Sequence, residues 1–149
     1  MSDTILMLVP RDPHWQPQPE VAHTVVMRLR EMLPQAETIK AIFEDAVRFF
    51  DPGSNWSGVT CNLCGQDAEP WLFDAVEAAS ESDFCDLTTT APCCGGKVDL
   101  NRLSYVWPAA FGRFAIEVLN PGVPSLSAQQ IEAVNLTLQS DATEVWAYI

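Results

Sequence analysis

Apolar and polar positions divide the chain into segments of two periodicities. The run Ile5-Leu6-Met7-Leu8-Val9 is too short for a helix and stops at Pro10, which predicts a strand over residues 4–9. Arg11 to Pro19 holds three prolines and is expected to be extended. From Pro19, a suitable first helical residue, Val21, Ala22, Val25, Val26, Leu29, Met32 and Leu33 fall on one helical face, and Pro34 ends the pattern. Alternation then takes over at Ile39, Ala41 and Phe43, breaks near Asp45 and resumes at Val47 and Phe49, so a kinked strand is predicted before the turn Asp51-Pro52-Gly53-Ser54. Leu72, Ala75, Val76 and Ala79 give a second helix over about Pro70–Ser80. Asp99 to Leu103 has the form of a short capped turn, and Phe114, Ile116 and Val118 alternate along a strand that ends at Asn120-Pro121-Gly122. Ser127 with Gln130 three residues on is a capping box, opening a helix that turns Ile131, Val134 and Leu138 inward. Val145 to Ile149 closes the chain as a strand.

Residues 56–97 stand apart because they carry every cysteine. Without them the order is strand, helix, strand, strand, helix, strand. That order predicts a single α+β domain over residues 1–149 of the ferredoxin-like (split βαβ) type, an antiparallel sheet with two helices on one face, interrupted by a metal-binding insertion at about 56–97. The competing architecture is a mixed sheet joined by strands of the insertion.

Composition narrows the function. The 149 residues include 8 Lys+Arg against 20 Asp+Glu, a formal net charge of −12. With 48% hydrophobic residues the chain can bury a core, so disorder is excluded for most of it. The acidic balance argues against nucleic acid as a partner, since that affinity rests on Lys and Arg neutralising phosphates. No apolar run approaches the roughly 20 residues of a membrane span. Met1-Ser2-Asp3 is not a basic leader, so the expectation is a cytoplasmic protein that does not meet the membrane.

The five cysteines, Cys61, Cys64, Cys85, Cys93 and Cys94, lie within one short interval. Such clustering points to metal ligation rather than to a disulfide framework. Cys61-Asn62-Leu63-Cys64-Gly65 is a Cys-x-x-Cys-Gly knuckle whose spacing lets two thiolates reach one ion. Pro92-Cys93-Cys94-Gly95 repeats the Cys-Gly ending, but Ala91 stands where a regular second knuckle would carry its first cysteine. The fourth thiolate must therefore come from Cys93 or Cys85, and Cys93, beside Cys94, is preferred. Soft tetrathiolate ligation selects Zn²⁺ over Mg²⁺ or Ca²⁺, and a closed shell of four thiolates predicts a structural rather than a catalytic ion. Thioredoxin-like exchange would need the motif at a helix start, whereas the helix here opens several residues later.

The succession of strand, helix, strand, Cys-x-x-Cys-Gly, acidic helix and Pro-Cys-Cys-Gly, followed by the segment Ser104 to Phe114 and by Leu119-Asn120-Pro121, resembles a family of small, uncharacterised bacterial proteins. The resemblance implies that Pro-Cys-Cys-Gly completes a zinc-ribbon-like site with the Cys-x-x-Cys, which again favours Cys93 over Cys85. It implies no activity.

Other chemistry is sparse. His14 and His23 are expected to be structural or solvent-facing, and no His-Glu-x-x-His, phosphate-binding glycine loop or Gly-x-Ser-x-Gly occurs. Charge says more. Between Arg48 and Lys97 there is no Lys or Arg, while Asp51, Asp67, Glu69, Asp74, Glu77, Glu81, Asp83 and Asp86 all fall there. This suggests a non-enzymatic zinc protein that uses an acidic face, with Asp74, Glu77, Glu81 and Asp83 as the contact residues, to engage a basic protein such as a bacterial toxin, in the manner of an immunity protein. The alternative is an enzyme with a site in an aromatic pocket between the α+β domain and the zinc insertion, among Tyr105, Trp107, Phe111, Phe114, Trp146 and Tyr148, using acids such as Glu117 or Asp99.

Overall fold

In the computed structural model, which describes residues 2–149, the chain forms a mixed α+β structure with three α-helices and a four-stranded antiparallel sheet. Strand β1 spans Thr4–Pro10, helix α1 Pro19–Met32 and strand β2 Thr38–Phe50. Between β2 and the next long strand lie β3 (Val59–Thr60), α2 (Glu69–Ser80), β4 (Thr88–Thr90), β5 (Lys97–Asp99), a 3-10 turn over Leu100–Arg102 and β6 (Ser104–Tyr105). Strand β7 (Ala110–Leu119), α3 (Ala128–Leu138) and β8 (Ala142–Tyr148) complete the chain. The main sheet has the order β2-β7-β1-β8, and β3-β6 and β4-β5 form two small antiparallel pairs of their own, so the insertion's strands do not join it.

Helices α1 and α3 cover one face of the sheet, where Val25, Leu29, Val134 and Leu138 share a core with Leu6, Leu8, Phe114, Ile116 and Val118. The alternation of these strands places Val9, Ala115 and Val145 on the opposite face, against Phe50. Beyond Phe50 the chain reaches the outer edge of β8. There Ser54 N–H donates to the Tyr148 carbonyl at 2.8 Å and Asn55 Nδ2 to the Trp146 carbonyl at 3.0 Å, so an otherwise open sheet edge is shielded. Gly53 sits in this contact at φ +58°, and a side chain there would come within 2.7 Å of the Tyr148 carbonyl oxygen.

The break expected near Asp45 is present as an irregularity in β2. Phe43 pairs with Phe114 and Arg48 with Gly112, so five residue steps of β2 oppose two of β7. Gln16 Nε2 donates to the carbonyls of both Glu44 and Arg113 at 2.9 Å, bonding backbone groups beside the disrupted ladder. Beyond the irregularity, Val47 and Phe111 leave the helix-covered core for a second one. That core contains Val59, Leu72, Leu87, Val98, Leu100 and Leu103, with Phe49 stacked on Phe111 at 4.5 Å between ring centroids. The β2–β7 ladder thus joins two apolar clusters and carries the cysteine-bearing segment.

Candidate metal centre

Two tight turns present the cysteines. In the first, after β3, Cys61 N–H donates to the Gln66 carbonyl at 2.8 Å and Gly65 N–H to the Cys61 carbonyl at 2.9 Å. In the second, which links β4 to β5, Ala91 N–H donates to the Gly96 carbonyl at 2.8 Å and Gly95 N–H to the Ala91 carbonyl at 2.8 Å. The bonds correspond one for one, with Ala91 in the place of Cys61 and Cys94 in the place of Cys64. Gly65 (φ +75°) and Gly95 (φ +73°) turn the backbone in a region where a Cβ is strained, which is why each knuckle ends in glycine. The turns are also packed together, since a side chain at Gly96 would come within 2.6 Å of Leu63 Cδ1.

The structure brings together Cys61, Cys64, Cys93 and Cys94, whose sulfurs all lie within 4.8 Å of one another. Cys64 Sγ is 3.3 Å from Cys93 Sγ, and Cys61 Sγ is 4.0 Å from Cys94 Sγ. A tetrahedral ion with bonds of about 2.3 Å holds its sulfurs about 3.8 Å apart, so the spacing fits a four-thiolate metal ion. Cys85 is exposed beyond the end of α2 and stands outside the group. Because Ala91 has no sulfur to offer, Cys93, at the position matching Leu63, supplies the fourth.

The thiols are not alike. Backbone N–H groups of Cys64 and Leu63 aim at Cys61 Sγ and bring its pKa down to about 7. Burial and the neighbouring thiols of Cys64 and Cys61 push Cys93 up to about 12. For Cys94 the Gly96 N–H acts to lower the pKa, but burial with the Cys61 and Cys64 thiols outweighs it and leaves the net shift upward.

Asp74, Glu77, Glu81 and Asp83 are all exposed, on α2 and just past its end, together with the other four acids of the interval. Among the described residues none of these eight takes part in an ion pair. Trp56 Nε1 donates to Glu69 Oε1 at 2.6 Å and its ring lies 5.6 Å from that of Phe73, which remains 53% exposed. An aromatic pair thus borders the acidic helix, and the distance from Trp56 to α2 along the chain kept it out of sight in the sequence.

The aromatic residues do not gather into one pocket. Phe111 and Phe114 are buried in different cores, Tyr105 donates to the Leu100 carbonyl at 2.6 Å, and Trp107, Trp146 and Tyr148 line a groove of about 550 Å³ near Asn120. Glu117 is paired with Lys40 at 3.7 Å, and Asp99 accepts from Asn101 N–H at 2.8 Å. His23 is exposed on α1 and His14 is exposed in the proline-rich connection.

The fold and the site together define a mixed α+β protein with a four-cysteine cluster able to hold a metal ion. No family model matches the chain, and neither a curated protein nor a solved structure does. The bacterial resemblance therefore rests on the motifs alone. No helix among the described residues is long and apolar enough to cross a membrane.

Proposed function

We propose that this is a non-enzymatic zinc protein whose acidic face binds a basic protein, in the manner of an immunity protein that neutralises a basic bacterial toxin in the cytoplasm. The observation that carries the reading is the set of eight exposed, unpaired acids between Arg48 and Lys97, beside a four-cysteine cluster that would add negative charge of its own once four thiolates hold a divalent ion. Like charge at this density costs stability, and a basic partner would turn that cost into attraction. Zinc is the ion that four thiolates favour, and with its shell closed it would fix the two knuckles together and anchor α2 beside them. The frame is best described as ferredoxin-like with a zinc-ribbon-like insertion, supported by the strand order β2-β7-β1-β8 and by helices on one face.

The test is association kinetics between the zinc-loaded protein and basic nuclease-type toxin domains at low and high ionic strength. The expected result is an association rate that falls steeply with salt, and that drops about tenfold or more in the variant D74N/E77Q/E81Q/D83N while its zinc content is unchanged. If no basic domain binds, or if the variant associates as fast as the parent, the acidic surface serves only to keep the protein dissolved.

A further inference from the structure

The eight cations of the chain are few, yet two of them line one cavity that contains no residue of the acidic helix. Arg11 follows β1, Arg102 closes the 3-10 turn, and both line a cavity of about 500 Å³ with Ser104, Tyr105, Pro108 and Thr143 among its other walls. None of the described residues lining it is an Asp or a Glu, although acids outnumber bases 20 to 8 in the chain. Three of the donor side chains there are unengaged. The side chains of Arg11, Ser104 and Thr143 take part in none of the hydrogen bonds or ion pairs among the described residues, and Arg102 Nε only approaches Asp99 Oδ2 at 4.0 Å.

The base of the cavity is held firmly. Asn101 Nδ2 donates to the Arg11 carbonyl at 3.0 Å while its Oδ1 accepts from Phe111 N–H at 2.8 Å, so one side chain ties the end of β1 to the start of β7. Arg11 N–H donates to the Asp141 carbonyl at 2.9 Å, which fixes the same corner to the start of β8. The two guanidinium groups are thus mounted on backbone that is already in place, and binding need order only their side chains.

We propose that this cavity binds a phosphate group. Two guanidinium forks and two hydroxyls offer more donors than one carboxylate can accept, whereas a phosphate presents three oxygens in the geometry that arginine matches in pairs. Tyr105 and Pro108 also line the cavity and would take the organic part of a phosphate monoester. The shared chemistry is the phosphate, whether free or esterified. This inference does not depend on the acidic face.

Amide NMR of the full chain with its metal bound tests the site, with inorganic phosphate, phenyl phosphate and acetate as probes. Saturable shifts at Asn101, Ser104 and Thr143 are expected with the phosphates and none with acetate. Tighter binding of phenyl phosphate would identify a monoester as the ligand, and equal binding would identify free phosphate. Arg11→Gln and Arg102→Gln should each weaken binding roughly tenfold. Arg28→Gln on α1 should leave it unchanged, and all three variants should keep their metal. The proposal is overturned if no shift saturates by about 10 mM phosphate, where a site of ~1 mM affinity would be nearly filled. It is equally overturned if acetate binds as well as phosphate, or if Arg28→Gln weakens binding as much as the two cavity variants.

Discussion

Ala91 is fully buried and holds the backbone position of a ligand without the sulfur, while Cys93, two residues on, completes the four-sulfur group. Cys93→Ala should therefore weaken metal binding by more than about 100-fold. Adding Ala91→Cys to that variant should restore binding, because it rebuilds a regular second knuckle on the same turn. Cys85→Ser should leave metal content unchanged, and elemental analysis of the purified variants separates the three outcomes. The thiols also set a pH dependence. Cys93 and Cys94 have pKa values above the usual thiol value and hold their protons near neutrality, so an entering metal must displace them. Protons therefore compete, and affinity should fall as pH falls, by roughly tenfold per unit for each proton displaced. Cys61, brought down to about 7, adds its own proton to the competition as pH falls through that value, with about half a proton at pH 7. Calorimetry of zinc binding in buffers of different ionisation enthalpy should count at least the two protons of Cys93 and Cys94 at pH 7. The ligand residues were legible from the spacing of Cys-x-x-Cys-Gly and Cys-Cys-Gly. What the spacing could not resolve was the choice between Cys93 and Cys85, because it depends on how two turns nearly 30 residues apart face each other.

Secondary-structure elements differ in how plainly they were written. Helices α1 and α3 follow directly from a 3.6-residue apolar period and from their starts at Pro19 and Ser127. Strand β7 is longer than its alternation suggested, running from Ala110 rather than Phe114, because Ala110, Phe111 and Gly112 are buried in succession and the one polar residue of that stretch, Arg113, is itself half-buried, so no regular alternation marks the pleat. The short pairs β3-β6 and β4-β5 left no periodic trace, since strands of two or three residues are held by the knuckles and by backbone bonds rather than by an apolar face. The helix ends allow a test of opposite signs. Ser127 Oγ accepts from Gln130 N–H at 3.1 Å and Gln130 Oε1 accepts from Ser127 N–H at 2.9 Å, so Ser127→Ala should cost about 1 kcal/mol. Gln18 has the extended backbone of an N-cap but makes no side-chain cap to α1. Gln18→Ser should therefore stabilise the protein by about 0.5 to 1 kcal/mol. Urea denaturation of the two variants reads both changes directly, and equal midpoints would show that neither helix start limits stability.

At the scale of the whole molecule, two cores meet along a single pair of strands and only one of them contains the four-cysteine cluster, so only that one is expected to depend on a metal. The helix-covered core needs nothing beyond apolar contact between α1, α3 and the sheet, as its sequence periodicity already indicated. The second core is built around short turns, and its buried residues Cys61 and Ala91 are themselves parts of the knuckles. Binding of a structural ion of this kind contributes on the order of 10 kcal/mol or more, more than the net stability of many domains, so the cysteine-bearing segment is expected to fold only with its metal. Its acids sharpen the effect, because eight unpaired carboxylates repel one another once the knuckles let go. The prediction is a partial collapse on chelation. With zinc removed, hydrogen exchange should show the amides of Leu72, Ala91 and Val98 losing protection, while those of Leu6, Ile116 and Val145 in the main sheet keep theirs. Phe49 and Phe111, which belong to β2 and β7 but pack in the second core, mark the boundary, and the ladder from Arg48 to Phe50 should fray with it. High salt should soften the loss by screening the acids without preventing it. Uniform loss of protection across both cores would show instead that the metal holds the entire chain as one cooperative unit, and unchanged protection would show that the knuckles fold without an ion.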